Sequence, residues 1–272
     1  MQVRLQATAR DELARMWSVP TAVFYLAFLA YPTVQGLILI PSYAYQAPID
    51  NFTLMTNGPV ALVFPLLLTG VYVFRFSGLV NHRYACYARF RSGTSTFLGT
   101  HLIVNAITVG VLVLGSYLIA AAVAFLVLPS TGFLRGQLGY EPLPADQVAD
   151  YTQQLITFSQ LASAGVGVYV TVFSLFVAVF SMVIATASLG FTLLARSRIL
   201  GLAATLILYT VENFALSYAG LEVFRTTTAI FPDAITPQPL WVPMIPLAAW
   251  IVLAVVLIAR VRRSADQLET LA

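Results

Sequence analysis

The sequence contains no lysine: all fourteen of its positive side chains are arginine. An ordinary nucleotide-binding P-loop is therefore excluded, because its lysine must reach the phosphates. Lysine Schiff-base chemistry is excluded as well. The single cysteine, Cys86, leaves no intramolecular disulfide and no Cys-based metal cage. The only histidines are His82 and His101, with no acid at ligand spacing, and they make no zinc site. His101 and Asn105, four residues apart at one end of an apolar run, read as polar groups snorkelling at a helix end. There is no GxSxG elbow, no HExxH helix and no acidic pair of the kind that holds magnesium for lipid phosphate chemistry. The chain is therefore read as not an enzyme, with no catalytic residue, no metal and no nucleic-acid partner. Charge is scarce too. Charged residues make up 9% of the chain, against about 25% in a soluble domain.

What is present is apolar. Hydrophobic residues make up 59% of the 272 positions and are spread along the whole length, which defines an all-α polytopic membrane protein. A lysine-free, arginine-only composition is what a GC-rich bacterial genome produces, so the expected location is a bacterial cell membrane. The polar lead is long and the apolar run Val19–Ile40 exceeds a signal-peptide core, so no cleaved leader is expected. In residues 1–17, Leu5, Ala9, Leu13 and Met16 recur at helical spacing and Trp17 follows. This predicts an amphipathic helix lying in the membrane interface.

Six candidate spans follow within 18–272, at about 18–40, 59–76, 97–128, 160–190, 199–218 and 240–260. Each approaches or exceeds the roughly 20 apolar residues that cross about 30 Å of hydrocarbon. Twelve of the fourteen arginines fall on one side of this arrangement, leaving only Arg135 and Arg225 on the other. The positive-inside rule places both termini in the cytoplasm. The outer segments are then 41–58, 129–159 and 219–239. The first carries an Asn51-Phe52-Thr53 sequon, read as chance. In the second, Asp146 and Asp150 share one helical face, read as solvated. The third is moderately apolar and broken by Pro232, Pro237 and Pro239, and is read as a re-entrant element in the outer leaflet. The fourth span is rich in small residues (Ser163, Gly165, Gly167, Ser174, Ala178, Ser181, Ala185), which predicts close helix packing within the fold or between subunits. A tight hairpin is expected near Ala195–Arg198, and a bend in the last span near Pro243 and Pro246.

The most distinctive stretch lies between spans two and three. It is a cytoplasmic helix over about 79–92 in which Tyr84, Tyr87 and Phe90 form one ridge flanked by Arg83, Arg89 and Arg91. Aromatics and arginine dominate protein–protein hot spots, so a protein partner is expected to bind there. Within the spans, Glu212 is the one acid. It lies about 20 Å from the inner end at about 1.5 Å per residue. With Asn213 and Gln35 it is a candidate lining for a path, since an intramembrane acid is functional by default. The structural alternative is an outer-leaflet acid paired with Arg225 or wet by solvent.

The layout as a whole resembles the ABC-2 type permeases of ABC transporters. The residues that carry the resemblance are His82 to Arg91, the overlapping run YACYARFRSG, and the LGTHLIVNA that follows. In that family the helix between spans two and three couples to a separate ATPase. The resemblance thus implies ABC ATPase subunits as partners and a second permease subunit, the same or different. ATP and magnesium would be held by the ATPase, with no cofactor in this chain. It implies export of a hydrophobic or amphipathic substrate, which the scarcity of polar intramembrane residues suits. Two other readings stay open: a secondary transporter coupled through Glu212, and a structural or assembly subunit of a membrane complex.

Overall fold

The computed structural model describes residues 18–44, 46–81, 94–137, 139–144, 147–148, 150–151, 157–195, 198–232 and 238–263. The interfacial helix expected over 1–17 lies outside these residues. So do His82 to Arg91, and with them the whole docking ridge. Among the described residues all regular structure is helical, and there is no strand. The helices are α1 (Val19–Leu39), α2 (Pro48–Thr56), α3 (Val60–Asn81), α4 (Thr94–Ala122), α5 (Leu128–Thr131), α6 (Val166–Leu194), α7 (Arg198–Tyr218), α8 (Thr226–Ile230) and α9 (Met244–Arg263). Five stretches are long and apolar enough to cross a membrane, or six if the bent pair α2–α3 counts as one span. The chain is a multi-pass, all-α membrane protein.

α6 is the hub. It is apolar on every side, as a helix must be when other helices surround it. Of its most apolar stretch 61% is buried, against 17% for α1 and 22% for α7. It packs on α4, α9, α7 and α3. Its small residues Ser174, Ala178, Ser181 and Ala185 face these neighbours and are buried, whereas Gly165 and Gly167 at its start are exposed. The small-residue stripe thus serves packing inside the fold. α6 turns into α7 within three residues. A Cβ on Gly201 would come within 2.4 Å of the Thr192 Cα, so the hairpin is as tight as its sequence predicts.

Three segments differ from the sequence expectation. The first outer segment is not an open loop but contains α2, with Ile49, Asn51, Phe52, Met55 and Thr56 buried. α2 meets α3 at an angle of 58°. The sequon asparagine is fully buried, so it is no glycan acceptor. The third span runs from α4 through a π-helical turn, Val123–Val127, into α5. Pro129 supplies the reason: its ring displaces the carbonyl four residues back, and a wider turn accommodates it. In the last span, Pro243 precedes α9 and Pro246 lies in its first turn, where a proline costs no backbone hydrogen bond. These prolines start the helix and do not bend it.

The end of the bundle away from Arg260, Arg262 and Arg263 of α9 is tied together by Asp50. Its carboxylate accepts the backbone N–H groups of Gln46 and Ala47, each at 2.8 Å, and the Tyr151 hydroxyl at 3.2 Å. Asp50 therefore caps α2 and anchors Tyr151, in the connection between α5 and α6, to it. Burial, reinforced by the negative charge of Asp50, pushes the Tyr151 phenol up to about 12. Asp150 beside it is exposed, as a solvated face requires, and Asp146 lies outside the described residues.

Candidate functional site

Glu212 and Asn213 sit in the last two turns of α7, and both reach the short helix α8. The Glu212 carboxylate accepts the Thr226 backbone N–H at 3.1 Å. The Asn213 side-chain oxygen accepts the Thr227 N–H at 3.0 Å and the Thr227 hydroxyl at 2.6 Å. The Asn213 amide nitrogen donates to the Tyr209 carbonyl at 2.7 Å and to Glu212 at 3.2 Å. A helix start exposes N–H groups without intrahelical partners, and here two side chains from a neighbouring span supply acceptors. Arg225 approaches but hydrogen-bonds elsewhere, to the Glu222 carbonyl and the Ser217 hydroxyl.

The rest of α8 is held as closely. Trp250 of α9 donates its indole N–H to the Thr226 hydroxyl at 2.9 Å. The Thr157 hydroxyl donates to the Thr228 carbonyl at 2.9 Å, and the Tyr117 hydroxyl to the Ile230 carbonyl at 3.4 Å. Thr226, Thr228, Ala229 and Ile230 are buried. An irregular segment deep in an apolar bundle is tolerated only where side chains satisfy its backbone, and α4, α7 and α9 all contribute.

Gln35 occupies a second such place. Its amide nitrogen donates to the carbonyls of Leu54, at 3.3 Å, and Asn57, at the break between α2 and α3. The break turns on Gly58, whose φ is +131°. A Cβ there would lie 2.6 Å from the Gln35 amide nitrogen. Gln35 and the Glu212–Asn213 pair thus sit on different helices and serve different breaks in the chain.

His101 and Asn105 do not snorkel. Both point into the bundle, 2% and 0% exposed. His101 Nδ1 shares a hydrogen bond with the Tyr72 hydroxyl, and its ring lies 4.3 Å from Phe97 and 4.7 Å from Phe76. Neither polar atom of the Asn105 side chain has a hydrogen-bond partner among the described residues. Their side of α4 faces α3 and α6, which position near a helix end does not reveal. Among the described residues no three metal-ligating side chains come together.

Sequence reasoning singled out Glu212, Asn213 and Gln35 but not the groups they serve. The Thr226-Thr227-Thr228 run ahead of Ala229-Ile230-Phe231 is a helix-start pattern and is the signal that could have found them. No protein-family model matches the chain, and neither a curated protein nor a solved structure matches it.

Proposed function

We propose that the chain is the transmembrane permease subunit of an ABC transporter that exports a hydrophobic or amphipathic substrate. ATP is hydrolysed, with magnesium, on a separate subunit. The observation that carries this reading is the basic aromatic segment between two long helices. α3 ends at Asn81 and α4 begins at Thr94, so Arg83, Tyr84, Tyr87, Arg89, Phe90 and Arg91 all fall in the connection between them. The arginine bias supports a cytoplasmic position for that connection and for both ends of the chain, and the lysine-free composition supports a bacterial cell membrane. The lysine-free sequence has no P-loop of its own, so the energy comes from a partner. The exposed faces of α1 and α7 suit a second permease subunit, because α6, the small-residue helix, is already covered.

The test is gentle purification from the native membrane, comparing wild type with the Tyr84→Ala, Tyr87→Ala, Phe90→Ala triple variant. A stoichiometric ATPase carrying a P-loop lysine, present with wild type and lost with the variant, is expected. An ATPase retained by the variant removes the docking assignment. No ATPase in either sample removes the ABC transporter reading and turns the assignment to the secondary transport described next.

A second reading, secondary transport coupled through Glu212, rests on one observation. This acid is only partly exposed and lies within a span, where it bonds a helix start. It requires gradient-driven uptake or efflux that Glu212→Gln abolishes.

A further inference from the structure

A cavity of about 270 Å³ lies between α1, α3 and α4. Its floor is Val113, Ser116 and Tyr117 of α4 together with Phe231 after α8, all buried. Phe28 of α1 and Phe64 of α3 form the walls. At the mouth Ala27, Tyr31 and Val63 are exposed. Burial therefore falls from floor to rim, and the cavity opens sideways through the gap between α1 and α3. That gap is bounded where the Tyr25 hydroxyl donates to the Val71 carbonyl at 3.2 Å.

The polar groups of the floor, and Thr56 of α2 beside it, are already engaged. Ser116 donates to the Phe28 carbonyl at 3.3 Å, Tyr117 to the Ile230 carbonyl, and Thr56 to the Phe52 carbonyl at 2.7 Å. The interior thus has little with which to hold water or a polar headgroup, and apolar cavities of this kind stay dry and take apolar guests. The volume falls just below the roughly 300–1,000 Å³ of pockets for drug-sized ligands. It suits a narrow guest, not a whole lipid. The medium facing the mouth of an apolar span is hydrocarbon.

We propose that this cavity binds a single alkyl chain, which enters laterally between α1 and α3 with its polar end left outside the mouth beside Tyr31. The site does not depend on the transporter reading, because occupancy is read on this chain alone.

The experiment uses the full chain in lipid nanodiscs. One arm contains a phospholipid with a diazirine in the middle of one acyl chain. The other contains a free fatty acid carrying the same group. After illumination, adducts are mapped by peptide mass spectrometry. Adducts on the floor residues Val113, Tyr117 and Phe231 are expected, since bulk lipid does not touch them. Val252 and Val255 on the exposed face of α9 report labelling by bulk lipid. Ala27→Trp fills the mouth from α1 and Val63→Trp narrows it from α3. Each is expected to cut floor labelling several-fold while leaving α9 labelling unchanged. Floor adducts in the phospholipid arm identify a membrane lipid as the source, and floor adducts in the fatty-acid arm alone identify a single-chain amphiphile. Labelling confined to exposed residues in both arms overturns the proposal. So does floor labelling that both tryptophan variants leave unchanged.

Discussion

The Tyr209 hydroxyl of α7 donates a 2.8 Å hydrogen bond to the Ala61 carbonyl of α3, the carbonyl that Pro65 leaves without its helical N–H. The same relationship recurs on α1. Pro32 removes the partner of the Phe28 carbonyl, and the Ser116 hydroxyl of α4 takes its place at 3.3 Å. Pro65 and Pro32, each inside a helix of an apolar span, are thus matched by a hydroxyl from a neighbouring helix, which is how a bundle in hydrocarbon tolerates the missing donor. Tyr209→Phe is expected to cost on the order of 1 kcal/mol, in the range of buried and intramembrane hydrogen bonds. The cost should largely vanish in a Pro65→Ala background, where the helix satisfies Ala61 itself. A double-mutant cycle by unfolding in detergent measures this coupling. Equal costs in both backgrounds remove the pairing.

Gly58 turns the chain at the α2–α3 break with φ +131°. Gly58→Ala is expected to destabilise by about 1–3 kcal/mol, since the new methyl also meets Gln35. Gly99→Ala is the opposite case. It lies in α4 with no neighbour within 4 Å of its Cβ position, and alanine there should stabilise by about 0.5–1 kcal/mol. Thermal unfolding of the two variants checks both signs.

Asn213 and Glu212 hold the start of α8, so removing them should loosen that helix before anything else. Asn213→Ala is expected to raise amide hydrogen exchange at Thr226 and Thr227 about tenfold, the equivalent of about 1.4 kcal/mol of lost protection. Glu212→Gln retains an acceptor oxygen and should change exchange little, whereas Glu212→Leu should resemble Asn213→Ala. Exchange mass spectrometry over residues 222–231 distinguishes these outcomes. Equal exchange in all variants removes the latch.

Tyr151 should titrate near pH 12 in the folded protein, against about 10 for a free phenol. The folded state then holds this proton more tightly than the unfolded chain. Its contribution to stability is complete below about pH 10 and is lost as pH rises from 10 towards 12. Ultraviolet titration of phenolate absorbance, with Tyr151→Phe to assign the late component, measures it. Asp50→Asn should move that component down, because the carboxylate charge holds part of the shift. A Tyr151 that ionises near 10 in wild type removes the Asp50 tie.

The long spans and the Ala195–Arg198 hairpin were legible because an apolar run of fixed length, or a three-residue connection, is a local property. α2 was not. Its Pro48-Ile-Asp-Asn-Phe-Thr start carries polar residues that read as a solvated loop, yet Asp50 caps its first turn and Phe52 is buried among Tyr117, Tyr169 and Phe173. The inward placement of His101 was not legible either, since the direction of a helical face depends on the helices beside it. Glu212 was identifiable as the only acid within a span, but its partner lies fourteen residues away across a turn that periodicity does not describe.

Composition alone determined the solvent of this protein. With 59% hydrophobic residues and 9% charged ones, the chain must satisfy its backbone internally, and helices are the means. The arginine distribution likewise determined an expected orientation without reference to any contact. Which hydroxyl meets which proline-freed carbonyl was decided only by tertiary structure. Tyr209 and Ala61 are 148 residues apart, and Ser116 and Phe28 are 88 apart. The backbone cost at each proline is local, but its compensation comes from whichever helix packs alongside, and packing is a property of the whole bundle.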